Sequence, residues 1–129
     1  MKVWSGHIVF RKKFRWIELE DVFPEILRVY MEETKIYDEM LYKMSLRLNM
    51  IDIRNNRKPE GYNRDVKMKL IFPLKSKMHP NPEFYIYRGS PSEEIYKLTN
   101  RISDILKDSG INHTVKWNNL LIVEMRRRK

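Results

Sequence analysis

From Phe23 to Ile51 one residue series dominates the chain: Phe23, Leu27, Tyr30, Thr34, Tyr37, Leu41, Met44, Leu48 and Ile51, spaced alternately by four and three. A 3.5-residue period is the signature of one helix face, and no strand produces it. Asp21 supplies an N-cap and Pro24 suits the first turn. A single helix over this stretch would run roughly 45 Å, too long to lie on one small sheet. Two outcomes are open. The helix breaks near Thr34, the one polar member of the series, or one end projects and pairs with a second subunit as a homodimer.

The segments around it have strand character. The first, "KVWSGHIVFRKKFRWIEL", is rich in β-branched and aromatic residues and reads as a long strand, or as a hairpin turning at Arg11-Lys12-Lys13. The polar stretch 54–65 carries Pro59 and Gly61 and reads as a basic loop. In "VKMKLIFPL", Val66, Met68, Leu70 and Phe72 alternate with Lys67 and Lys69, the pattern of a half-buried strand. After a loop with two prolines, "FYIYR" forms its antiparallel partner.

The stretch "SPSEEIYKLTNRISDILKDSG" predicts a second helix, with Ser90 as cap, Pro91 at the first position, Glu93 closing a capping box and Gly110 as the stop. Its buried stripe is Ile95, Leu98, Ile102 and Ile105. Two short strands flanking Asn118-Asn119 make a terminal hairpin, and the tail 126–129 is expected to be disordered. The order β-α-β-β-α-β over a single domain, 1–129, predicts an α+β ferredoxin-like sandwich. It has an antiparallel sheet, two helices on one face and an extra C-terminal β-hairpin. The other sheet face is then open to a partner.

Charge suggests what that partner is. The chain carries 26 Lys and Arg against 17 Asp and Glu, a formal +9. Such an excess attracts polyanions, so DNA or RNA is the expected partner. No apolar run approaches the roughly 18 residues of a membrane span, and no apolar signal segment follows Lys2, so a cytoplasmic protein without membrane association is expected, in a host cytoplasm if the chain is viral. The absence of Cys excludes disulfides and thiolate chemistry. With no Ala or Gln, abundant Lys, Ile and Asn and many charges, the composition suits a thermophilic, archaeal or viral origin.

With Phe84 and Ile86 turned to the helices, Tyr85 and Tyr87 should lie on the opposite face beside Lys67 and Lys69, where rings stack bases and cations hold phosphates. The layout resembles the platform of RNA-recognition-motif domains. That resemblance lies in element order, and no residue role follows from it. Buried strand tyrosines are the competing reading. Arg88 ends the same strand. Arg11, Lys13 and Arg15 would form a phosphate-binding stripe or a charged edge strand, and Arg57 and Arg64 add loop cations. The reading is a non-catalytic nucleic-acid-binding protein, with an assembly module dimerising through the long first helix as the alternative.

Catalytic signals are sparse. Glu60, Asp65 and Lys67 resemble the acid, acid-x-lysine set of restriction-type nucleases, although their spacing is cramped and the parallel-sheet pattern around that set is missing. His7, His79 and His113 have no helical ligand spacing, so no metal or other cofactor is expected. Phosphate-cradling glycine loops and a serine elbow are absent from the sequence. Five of the methionines, Met31, Met40, Met44, Met50 and Met68, read as core filler rather than as a peptide-binding groove.

Overall fold

In the computed structural model, residues 1–120 are described. The chain runs through β1 (Val3–Val9), a 3-10 turn (Trp16–Leu19), α1 (Phe23–Glu33), α2 (Glu39–Arg54), β2 (Gly61–Tyr62) and β3 (Lys69–Ile71), then β4 (Glu83–Ser92), α3 (Glu93–Asp108) and β5 (Thr114–Trp117). The strands form one sheet in the order β2-β3-β4-β1-β5, and every neighbouring pair is antiparallel. Among the described residues this is an α+β architecture of one open five-stranded sheet and three α-helices.

The 3.5-residue stripe is split between two helices. At the end of α1 the Thr34 hydroxyl donates to Tyr30 O at 2.8 Å, and Lys35 takes a left-handed φ of 60°. A side chain that bonds back to the preceding turn, followed by a left-handed residue, stops a helix. Asp38 then starts α2 by accepting from Leu41 N at 2.9 Å. The break near Thr34 leaves no projecting helix of 45 Å.

The first segment turns at Lys12-Lys13, where the hairpin reading put its turn, but a 3-10 turn follows in place of a second strand. Strand β1 stops at Val9, and the chain folds back so that the Phe10 and Phe14 rings stack at 3.9 Å. The Glu18 carboxylate then accepts from Arg15 N at 2.8 Å and from the Arg11 guanidinium at 2.9 Å, closing the 3-10 turn. The backbone hydrogen bond from Arg15, helped by Arg11, keeps the Glu18 pKa below the ordinary carboxylate value. Arg11, Lys13 and Arg15 therefore sit on a turn, where strand alternation no longer aligns them.

Smaller corrections follow the same logic. Helix α3 starts two residues later than its proline suggests: Ser92, not Ser90, is the cap, accepting from Glu94 N at 3.0 Å, while Ser90 and Pro91 extend β4. Its fully buried stripe ends on Leu106, and Ile105 is only partly buried. Gly110, at φ 75°, ends the helix as expected. The loop 54–65 contains the edge strand β2, and Lys67 lies in a bend before a shortened β3. Asn118 turns left-handed after β5. The second arm of the expected hairpin and the tail 126–129 lie outside the described residues.

Strand register separates the two faces. Ile8 pairs with Phe84 and Gly6 with Ile86, and Leu70 lies on the far side of Ile86. These residues, Gly6 apart, join Ile26, Leu27 and Tyr30 of α1 and Ile95, Leu98 and Ile102 of α3 in one buried cluster. Helix α3 packs on β1 and β4, α1 packs on α3, and α2 packs on α1 and the 3-10 turn. Tyr30 reaches the sheet through its hydroxyl, which donates to Met68 O; burial raises its pKa.

Candidate functional site

On the opposite face, cross-strand neighbours follow the rows Lys116-His7-Tyr85-Ile71 and Ser5-Tyr87-Lys69. Tyr85 and Tyr87 thus share the face with Lys69, as their alternation with Phe84 and Ile86 predicts. The face is not an open platform at that point. Tyr85 is 0% and Tyr87 1% exposed, and they cluster with Ile71 and Leu120. Enclosed rings present no surface on which a base could stack, so the stacking role expected for the two tyrosines is withdrawn.

Beside them lies a buried polar network. Glu83, at the start of β4, accepts from His7 Nδ1 at 3.0 Å through one carboxylate oxygen and from His79 Nδ1 at 2.6 Å through the other. Burial alone would raise the Glu83 pKa, but hydrogen bonds and charge from the two histidines outweigh it and lower the pKa. An ionised carboxylate only accepts, so His7 and His79 each donate to it from Nδ1, and the Ser5 hydroxyl is hydrogen-bonded to the other ring nitrogen of His7, Nε2, at 2.7 Å. Tyr85 lies against both histidines, with ring centroids 4.8 Å from His7 and 6.0 Å from His79.

The connectivity hydroxyl to imidazole to carboxylate is that of a proton relay for a serine nucleophile. Ser5 and His7 are nevertheless both 0% exposed. The enclosed hydroxyl has no approach for a substrate, and in this conformation the network ties β1, β4 and the 73–82 loop together. Sequence reading missed it because His79 and Glu83 join His7 only through pairing of β1 with β4. One local signal existed: Ser5 and His7, two apart on a strand, must share a face.

Several exposed cations lie on the connections at one end of the sheet. Phe10 N donates to Pro82 O at 2.9 Å and Asn81 Nδ2 donates to Phe10 O at 3.1 Å, fixing the turn after β1 beside the 73–82 loop. Between that turn and the start of β5 is a groove of about 300 Å³ lined by Arg11, Asn81, Asn112, His113, Thr114 and Lys116, among others. Lys12, Lys13 and Arg15 continue from the turn, and Lys75 and Lys77 project from the loop. All five, and Lys116, are exposed and make no ion pair among the described residues.

The remaining expected site residues are scattered or already paired. Arg57 forms an ion pair with Asp52 at 3.1 Å, Arg88 lies 3.6 Å from Glu94, and Arg64 stands 5.7 Å over the Tyr62 ring. Lys67 is exposed and Lys69 half-buried. Glu60 and Asp65 are exposed loop residues, and among the described residues no group of three His, Asp or Glu could hold a metal ion. No described helix is long and apolar enough to cross a membrane.

Fold and surface together define an α+β protein with one open antiparallel sheet, a buried Ser-His-Glu-His network and a cationic end. No protein-family model, curated protein or solved structure matches the chain.

Proposed function

We propose that the protein binds DNA or RNA through phosphate contacts at the cationic end of its sheet, acting as a binding protein rather than a catalyst. The observation that carries this reading is that Arg11 and Lys116 line the groove, with exposed Lys12, Lys13 and Arg15 on the turn that Arg11 begins and exposed Lys75 and Lys77 on the 73–82 loop that is hydrogen-bonded to that turn. In a chain with a net charge of +9, unpaired cations on one surface make an electrostatic footprint for a polyanion. Asn81, Asn112 and Thr114 add neutral polar groups of the kind that position a backbone. The interface holds phosphates and leaves base stacking aside, since the two strand tyrosines are enclosed.

The ferredoxin-like reading of the sheet is supported by the order β3-β4-β1-β5, in which the two central strands are those that lead into helices. Strand β2 is an addition at one edge. In this reading the cationic end is built from connections between strands, where sequence can change without disturbing the core.

The test is fluorescence anisotropy of labelled single-stranded and hairpin DNA and RNA over a salt series. Affinity should fall steeply as salt rises, and the combined reversal Lys12→Glu, Lys13→Glu and Lys116→Glu should weaken binding by more than about tenfold and flatten the salt dependence. Absence of binding at low salt, or binding indifferent to the three reversals, would sink the proposal.

A further inference from the structure

Among the exposed large apolar side chains, Met40, Met44, Leu48 and Ile51 form a stripe on the outward side of α2, so Met40 and Met44 are not the core filler that Met31, Met50 and Met68 are. Leu74 (77% exposed) and Met78 (45%) lie instead on the 73–82 loop, where they border a cavity of about 510 Å³. Ile71 and Phe72, buried at the end of β3, form its floor, and the Phe72 ring packs against Phe84 and Trp16. The 73–82 loop is one wall: Ser76 N donates to His79 O at 3.0 Å, His79 N donates to Ser76 Oγ at 3.2 Å, and the His79 ring is tied to Glu83. Residues 58–63 are the other wall, where Pro59 is buried and Gly61 is bonded through both its backbone groups to Asn49. Walls pinned in this way make a cavity that exists before any ligand arrives, and its volume falls in the range of small-molecule sites.

Lys58 gives the cavity its chemistry. It is half-buried, its ammonium reaches the carbonyl of its neighbour, Pro59 O, at 3.4 Å, and it makes no ion pair among the described residues. Burial pushes its pKa below the ordinary lysine value, against the smaller pull of Asp52 and Glu60. Asp52 is already engaged by Arg57 at 3.1 Å. We propose that the cavity binds a small organic acid, with the carboxylate against Lys58 and an apolar body along Phe72, Leu74 and Met78.

Charge sets the class of ligand. Glu60 lines the same cavity, but it is exposed and its field is screened by water, whereas the half-buried Lys58 is screened less. One ammonium with an acid on the rim matches a monoanion; a phosphate-bearing ligand would bring two charges against one. A carboxylate supplies the charge-assisted hydrogen bonds that a half-buried ammonium lacks. The apolar body covers side chains that otherwise face water, and the flexible Met78 thioether adapts to a flat ring. The site is separate from the cationic groove, which is lined by Arg11 and Lys116.

Isothermal titration calorimetry of the full chain with cinnamate, its neutral amide cinnamamide, and acetate tests the proposal, with backbone amide shifts locating the probe. Cinnamate should bind saturably and shift the amides of Gly61, Asn63 and Ser76. Cinnamamide, which lacks the charge, and acetate, which lacks the body, should each bind at least about tenfold more weakly. Lys58→Met should weaken cinnamate by at least about tenfold and leave cinnamamide unchanged. Leu74→Asp, at an exposed position, should weaken cinnamate with an unchanged thermal melt. No saturable binding of cinnamate, equal binding of acid and amide, or binding that survives Lys58→Met overturns the proposal. So does binding that is lost on the Lys12, Lys13 and Lys116 reversals but not on Lys58→Met, which would place the acid in the cationic groove.

Discussion

Gly6 of β1 and Thr99 of α3 touch across the core: a Cβ on Gly6 would lie 2.0 Å from Thr99 Oγ1 and 2.8 Å from Thr99 Cβ. Helix α3 settles on the central strand at a distance that only a residue without a side chain allows. The closeness leaves the Thr99 hydroxyl buried with no hydrogen-bond partner among the described residues. On the other side of the sheet, Gly6 is flanked in sequence by Ser5 and His7, so the position of α3 and the polar network depend on the same stretch of backbone.

Gly6→Ala should force α3 away from β1 and destabilise the protein by about 3 kcal/mol, the upper part of the range for overpacking. Urea unfolding measures this as a lower midpoint at an unchanged slope. A midpoint equal to that of the wild type would mean that the helix lies farther from the strand.

Glu83 makes stability depend on pH. Its folded-state pKa is lowered, so the stabilisation it contributes is present above the ordinary glutamate value and is lost as pH falls through the folded value. Glu83→Gln should cost about 1–3 kcal/mol at neutral pH, because the amide cannot accept from both histidines. Thermal melts of the two proteins should converge in acid. A gap that stays constant from neutral to acid pH would exclude the ionised carboxylate as the cause.

Asn49 pins the short edge strand β2 by bonding both polar groups of Gly61, which is buried. With Asn49→Ala these groups lose their partner, at a cost of about 1–3 kcal/mol. Amide exchange at Gly61 and Tyr62 should quicken relative to β4. Unchanged protection at Gly61 would show that β2 is held by β3 alone.

Asp38 caps the first turn of α2. Its replacement by Ala should lower stability by about 1 kcal/mol, and replacement by Ser should restore most of it. Chemical denaturation of the three proteins provides the comparison, and equal midpoints would remove the cap from any account of where the long stripe is broken.

Much of this protein is local and hence visible in its sequence. Apolar period distinguished helix from strand for α1, α2, α3 and β4, and two-residue alternation placed Phe84 and Ile86 on the core face and Tyr85 and Tyr87 on the other. The break at Thr34 was one of two readings, because a hydroxyl that bonds the preceding turn is a local option whose use depends on what the next turn can pack against.

What the sequence could not decide depends on contacts between distant residues. Burial of the two tyrosines, the meeting of His7, Glu83 and His79, and the choice between a continuous strand and a turn at Arg11-Lys12-Lys13 each depend on partners far along the chain or on a backbone reversal. The outward apolar stripe of α2 is the sharpest case. Its period reads the same whether Met44 and Leu48 face the core or solvent, and only the packing of Tyr42, Ser45 and Asn49 against the body of the protein turned that stripe outward.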